Sequence, residues 1–233
     1  MGDRIKDFLL CSKYAFKESC RKLKKSYILL LFIIIQSMFS NIKLFGLSGA
    51  GYIGGIINYL IEVIILCFIV QSLKSIVLYN NVGKKSIENS IQNYFSLLLN
   101  TMFAVYIIDL MISILSRGLS LKASFLLNLL VRLLLSAVLE LVYIEGTYGF
   151  SVINESIEFV SKNILTWGIY ALIINLIEML LTNKLGINAI GLLSETGSII
   201  LLSVCDTFFY LFKGHLFKYL SEHSYRQRKF MRG

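Results

Sequence analysis

The sequence predicts an all-α polytopic integral membrane protein with six transmembrane helices, and three observations support this fold class. Of the 233 residues, 56% are hydrophobic and only 16% are charged, and the mean hydropathy is +0.72. The apolar residues gather in six blocks, each close to the roughly 20 residues that a helix needs to cross a bilayer. The polar sequence between these blocks is too short to give a soluble fold a water-facing surface.

The chain begins with a basic segment, residues 1–26, that is predicted to form an amphipathic helix in the membrane interface. Its apolar residues recur at helical spacing among eight lysines and arginines. Cys11 and Cys20 lie on this segment, where a thiol can be acylated or can simply pack. Because the four cysteines show no CxxC spacing, neither a disulfide framework nor a metal site is expected.

The six apolar blocks form a predicted transmembrane domain over residues 27–213, and a basic cytoplasmic tail is predicted over residues 214–233. Short polar connections separate one block from the next, as in a series of helical hairpins. The blocks cover residues 27–45, 56–79, 94–115, 123–143, 164–181 and 190–212.

The distribution of basic residues predicts the orientation. With six crossings, both termini and two of the connections share one side, which carries 18 lysines and arginines against four on the other side. The positive-inside rule therefore places both termini in the cytoplasm of a cell-membrane protein. The net charge of +9 is concentrated at the chain ends, a pattern that favours anionic inner-leaflet lipid as a partner and argues against nucleic acid.

A polar segment occurs twice and predicts two interfacial elbows. The first copy is SIENSIQN at residues 86–93, and its echo is SIEFVSKN at residues 156–163. Each copy leads into an apolar block, so each is expected to lie on the inner leaflet and to join one helical hairpin to the next. The terminal asparagine of each copy is expected to cap the helix that follows. The elbow residues are Ser86, Glu88, Asn93, Ser156, Glu158 and Asn163.

The region around the second copy resembles a known family. Glu145 and Gly146 follow the fourth block, and a serine and an asparagine seven positions apart, Ser156 and Asn163, lead into the fifth. In these features the run YIEGTYGFSVINESIEFVSKNILTWGIYAL is similar to a family of mostly uncharacterised bacterial and archaeal six-helix membrane domains. One branch of this family is fused to glycerophosphodiester phosphodiesterases. The resemblance implies the six-helix fold and no catalytic residue.

Charged residues inside the apolar blocks are the candidate functional groups. An ionised side chain there costs about 2.5 to 3.5 kcal/mol on insertion scales, so each one needs a partner or water. Four acids near the outer helix ends are hypothesised to line a vestibule that binds protons or cations, with Arg132 paired to Asp109 or Glu178. The alternative is that each acid reaches the interface or makes one interhelical hydrogen bond. The cluster comprises Glu62, Asp109, Arg132, Glu178 and Glu195.

Nothing in the sequence favours an enzyme. His215 and His223 both fall near the basic tail, so no histidine can act as a base beside a buried nucleophile. Trp167 and the two histidines are interpreted as interfacial anchors. The preferred function is a non-enzymatic membrane scaffold or accessory protein that has no cofactor and engages lipid or a protein partner. The alternative is a small transporter or channel that uses the intramembrane acids.

Overall fold

The computed structural model describes residues 2–41, 51–80, 87–182 and 195–231, and every regular element in those ranges is helical. The α-helices are α1 (Gly2–Leu23), α2 (Tyr27–Asn41), α3 (Gly51–Tyr79), α4 (Ser90–Ser116), α5 (Leu121–Leu134), α6 (Val138–Glu140), α7 (Phe150–Lys162), α8 (Ile169–Thr182), α9 (Glu195–Glu222) and α10 (Tyr225–Phe230). A π-helical turn, Leu141–Glu145, continues α6, and a second one, Ile164–Gly168, precedes α8.

Among the described residues, four helical stretches are long and apolar enough to cross a membrane. They are Gly54–Tyr79, Ser90–Ser116, Leu121–Glu145 and Ile199–Glu222, and a bent helix pair would make a fifth. The prediction of an all-helical protein with several candidate membrane spans is therefore confirmed. The first apolar block forms the shorter helix α2, whose 15 residues measure about 22 Å along the axis.

The core lies around α3 and α9. In α3, Ile69, Leu73 and Ile76 recur at three- and four-residue intervals and are fully buried, while Leu211 and Phe217 are equally buried in α9. Because a helix that buries residues at this spacing presents one continuous face to its neighbours, α3 can pack against α2, α4 and α9 at once.

Helix α1 lies against α9 and extends the fold beyond the spans. The predicted helix is present, but its packed face is made of small and polar residues such as Cys11, Ala15 and Ser19, all buried. The large apolar side chains of Ile5 and Phe16 are both 56% exposed. Small residues allow close approach to α9, and the apolar side chains remain available to lipid.

Helix α7 forms a sharp joint with the helix that follows. Its axis is bent by 92° from the helical stretch Ile164–Ile177. Ser156 is buried in this joint, and its hydroxyl donates a 2.6 Å hydrogen bond to the carbonyl oxygen of Leu134, the last residue of α5. The second SIE segment therefore lies on a short helix that changes the direction of the chain.

Helix α9 continues past the predicted end of the transmembrane domain. The boundary at residue 213 falls inside this helix, which ends at Glu222. His215 therefore lies within a candidate membrane span and is only 2% exposed because it is buried in the protein, so its interpretation as an interfacial anchor is wrong. Helix α10 then begins at a Ser224 capping box, which satisfies backbone donors at its N-terminus.

Candidate functional site

The predicted intramembrane cluster is not assembled by the side chains that the structure describes. Glu62 on α3, Asp109 on α4 and Arg132 on α5 are all exposed on the helix surface. Arg132 forms no ion pair with Asp109 in the described residues, and its pairing with the alternative partner Glu178 stays a prediction. Glu178 lies on α8 and Glu195 begins α9, but their side chains are outside the described part of the molecule. Convergence of the four acids therefore stays a prediction.

The elbow residues of the second copy make ion-pair and hydrogen-bond contacts that stabilise α7 and its neighbours. Glu158 is exposed and pairs with Lys162 one turn later. The Asn163 side chain donates to the carbonyl oxygen of Phe159, so it stabilises the end of α7 and does not cap the following helix. Val160 is buried in the protein, whereas Ile157 is 37% exposed.

The first copy differs from its echo. Ser86 lies outside the described residues, and Glu88 and Asn93 are exposed. Asn93 falls inside the first turn of α4, where it is not in position to cap the helix, and the N-cap residue Asn89 makes no side-chain capping bond. Residues 87–88 are helical and are followed by a turn at Asn89, before α4 begins at Ser90.

A buried polar centre lies instead between α6, α9 and the first π-helical turn. The side chain of Glu140 is only 1% exposed, and its Oε1 lies 3.5 Å from the Nζ of Lys213. The hydroxyl of Tyr143 and both Glu140 oxygens are buried and accept or donate no hydrogen bond in the described residues. An apolar helix block does not predict buried polar atoms in such a concentration, so the predicted intramembrane cluster did not include these residues.

Gly214 gives Tyr143 room to enter this centre. A Cβ atom at residue 214 would lie 2.3 Å from the Tyr143 hydroxyl and 3.0 Å from Cγ2 of Val77. Such short contacts are sterically forbidden, so the close approach of α9 and the π-helical turn requires glycine. The sequence signal that could have identified it is a glycine directly beside a lysine inside an otherwise bulky helix.

Trp167 lies next to Lys213 at the edge of this polar centre. It is 1% exposed, its Nε1 donates a 2.8 Å hydrogen bond to Ser136 Oγ, and the Lys213 ammonium lies 5.8 Å from its ring centroid. The interpretation of Trp167 as an interfacial anchor is therefore wrong. The indole orders the joint between α5 and α8 and adds a cation–π contact to the Glu140–Lys213 pair.

Lys22 joins the end of α1 to the end of α3. Its ammonium donates a 3.1 Å hydrogen bond to the carbonyl oxygen of Ile76, one of the last four residues of α3. These carbonyls lack helical partners and carry partial negative charge, so a cation stabilises them. Burial lowers the pKa of Lys22, and the Glu18 carboxylate opposes that shift.

The two ends of the chain meet through a buried ion pair. Arg228 on α10 donates from Nε and Nη2 to the two carboxylate oxygens of Asp7 on α1, at 3.2 and 3.0 Å. Both side chains are at most 3% exposed. This bidentate geometry fixes α10 against α1 and places both termini on one side of the molecule.

The terminal helices α1 and α10, with the two residues after α1, carry an excess of exposed cations, which we name the basic terminal surface. The acids of α1 each lie within 4.0 Å of a cation: Asp3 of Lys229, Asp7 of Arg228 and Glu18 of Arg21. The remaining cations are exposed, and none has a carboxylate within 4.0 Å in the described residues. The surface comprises Arg4, Lys6, Lys13, Lys17, Lys24, Lys25 and Arg226.

Within residues 2–41, 51–80, 87–182 and 195–231, no three His, Cys, Asp or Glu side chains are grouped to hold a metal ion. Comparison with protein-family models, curated proteins and solved structures finds no match. The family resemblance of the region around Ser156 therefore stays a prediction.

Proposed function

We propose that this protein is a non-enzymatic integral membrane scaffold or accessory protein whose basic terminal surface engages anionic lipid in the inner leaflet of the cell membrane. The observation that carries the proposal is the charge balance of α1 and α10. The acids of α1 each lie within 4.0 Å of a cation, whereas seven exposed cations on α1, on α10 and in the two residues after α1 have no carboxylate within 4.0 Å in the described residues.

The energetics favour attachment to an anionic surface. Each lysine or arginine near such a surface contributes about 1 kcal/mol. The exposed apolar side chains of Ile5, Leu9 and Phe16 on α1 add burial in the acyl boundary. The Asp7–Arg228 pair and the packing on α9 hold these groups in one arrangement, so little conformational entropy is lost on binding.

The proposal includes six spans and cytoplasmic termini. Contact between α1 and α10 supports an even number of crossings, since both ends lie together. The charge excess of the proposed cytoplasmic side supports its orientation. The six spans would be α2, α3, α4, the stretch Leu121–Glu145, α8 and α9, with α7 as an interfacial helix between two hairpins.

Copurification with native lipid tests the proposal. The protein is extracted into polymer-bounded native nanodiscs, and the retained lipid is quantified by mass spectrometry against the bulk membrane. Enrichment of anionic lipid is expected, together with a stoichiometric protein partner if the scaffold serves one. A lipid composition identical to the bulk membrane, with no partner, would contradict the proposed function.

A small transporter or channel is the alternative, because acids within spans are costly unless they serve a pathway. Glu62 and Asp109 are exposed on different helices and form no shared pathway in the described residues. The transporter is therefore less well supported than the scaffold. Proton and sodium flux in proteoliposomes separates the two functions. A transporter should lose coupled flux in the D109N/E178Q variant, whereas a scaffold should show no flux above empty liposomes in either form.

A further inference from the structure

An open cavity lies within the basic terminal surface. Its volume is about 420 Å³, within the range of small-molecule sites. Helix α1 contributes Leu10, Lys13, Tyr14 and Lys17, which share one face at three- and four-residue spacing, and Tyr219 of α9 forms the floor. The opposite wall comes from α10 and the residue after it, so the cavity exists only because the two ends of the chain meet.

The cavity lies at the level where a membrane span ends. Tyr219 belongs to the last turn of the candidate span Ile199–Glu222. Its ring centroid is 4.7 Å from that of Tyr14. Tyrosine is enriched at membrane–water interfaces, so a cavity beside these two rings at the end of a candidate span fits the headgroup layer.

The charge in the cavity comes from two lysines. Arg228 also lines it, but its guanidinium is bound by the Asp7 carboxylate and the carbonyl oxygen of His223. Lys13 and Lys17 are exposed and have no carboxylate within 4.0 Å in the described part of the chain. Being one helical turn apart, they present two ammonium groups to a single anion.

The rim beside the lysines is apolar. Leu10 is 47% exposed, and Met231 on the opposite wall is 64% exposed. A ligand that satisfies both parts of the cavity has an anionic head and an apolar chain directly attached to it.

We propose that this cavity binds the phosphate headgroup of an anionic glycerophospholipid, with the phosphate between Lys13 and Lys17 and the first acyl carbons along Leu10 and Met231. This inference rests on the proposed function but is narrower. The proposed function needs only attraction between a basic surface and anionic lipid, whereas this site requires two particular lysines.

Matched charge removals test the site. Detergent-solubilised protein is titrated with dioleoyl phosphatidylglycerol or dioleoyl phosphatidylcholine, and bound lipid is counted by native mass spectrometry. The K13Q/K17Q variant removes the two cavity charges, and K6Q/K24Q removes two exposed charges of the same surface outside the cavity. At about fivefold for each lysine, K13Q/K17Q should weaken phosphatidylglycerol binding about 25-fold, and K6Q/K24Q much less. Thermal midpoints close to that of the wild type verify folding.

The outcomes separate the site from the proposed function. Equal weakening in the two variants overturns the site but leaves the function, since attraction is then spread over the surface. No preference of the wild type for phosphatidylglycerol overturns both. A third arm adds inorganic phosphate or glycerophosphoglycerol as a competitor. Displacement of the lipid at equimolar competitor overturns the lipid claim, because the headgroup anion alone would then be sufficient.

Discussion

Cys11 and Cys20 lie on the same helix in opposite environments. Cys11 is 1% exposed on the face of α1 that packs against the protein, and Cys20 is exposed. Burial also raises the pKa of the Cys11 thiol, although Arg228 nearby lowers it. Since the thiolate is the reactive species, only Cys20 keeps the acylation hypothesis open in the folded protein.

Thiol labelling checks this difference. At pH 8, a water-soluble maleimide should modify Cys20 at least about tenfold faster than Cys11, because a raised pKa and burial both keep Cys11 in the unreactive thiol form. Site-resolved mass spectrometry after a short pulse measures the two rates, and labelling in denaturant supplies the control in which they converge. Equal rates in the folded protein would show that α1 does not hold Cys11 against the core.

Glu140 and Lys213 form a pair whose members are not equivalent. The Glu140 side chain is 1% exposed, whereas that of Lys213 is 17% exposed. Loss of the cation leaves a carboxylate with no compensation, but loss of the anion leaves an ammonium that can extend towards water. We expect K213M to cost about 3 kcal/mol of unfolding free energy and E140Q about 1 kcal/mol.

Reversible unfolding in mixed micelles measures these costs. The double variant E140Q/K213M should be more stable than K213M alone, since it removes the unpaired charge. If K213M and E140Q cost the same and the double variant shows their sum, the two side chains act independently and the ion pair contributes nothing.

At the scale of elements, the fit between α9 and the π-helical turn depends on Gly214. We expect G214A to destabilise the protein by about 1 to 3 kcal/mol, because the new Cβ would overlap the Tyr143 hydroxyl at 2.3 Å. The variant G118A is the matched control, as nothing lies within 4 Å of a Cβ at that residue. Thermal midpoints in detergent compare the two.

A second substitution distinguishes a steric cause from a loss of helix flexibility. Y143F removes the hydroxyl, which has no hydrogen-bond partner in the described residues, so the single variant should be nearly neutral. Combined with G214A it should recover most of the lost stability. Failure of Y143F to rescue G214A would place the constraint at Val77 or in the backbone of α9.

At the scale of the whole molecule, the Asp7–Arg228 contact requires the two termini to share one side. Single cysteines are introduced at residues 2 and 231 of a cysteine-free variant. An impermeant maleimide should label both of them in inside-out vesicles and neither in right-side-out vesicles. Labelling of the two sites in opposite preparations would contradict both the contact and the even number of spans. Labelling of both only in right-side-out vesicles would reverse the predicted orientation.

The sequence alone determined the class of the molecule and the nature of several elements. Long apolar blocks predict helices because a membrane interior leaves backbone groups no other partner, and the candidate spans from α3 to α5 follow the predicted blocks. The candidate span in α9 ends at Glu222 and not at residue 212 as predicted. Periodicity likewise predicted α1 as an amphipathic helix. These properties are local, since each depends on residues close together in the chain.

The tertiary structure decided which polar side chains are internal. Glu140 and Lys213 meet across 73 positions of sequence, and Asp7 and Arg228 meet across 221, so no local pattern reveals either pair. Helical spacing predicts that one face of a helix is buried, but it does not reveal which distant helix covers that face. The packing of distant helices leaves Asp109 and Arg132 exposed and buries Trp167 and His215. It also brings the two chain ends together beside Lys13 and Lys17.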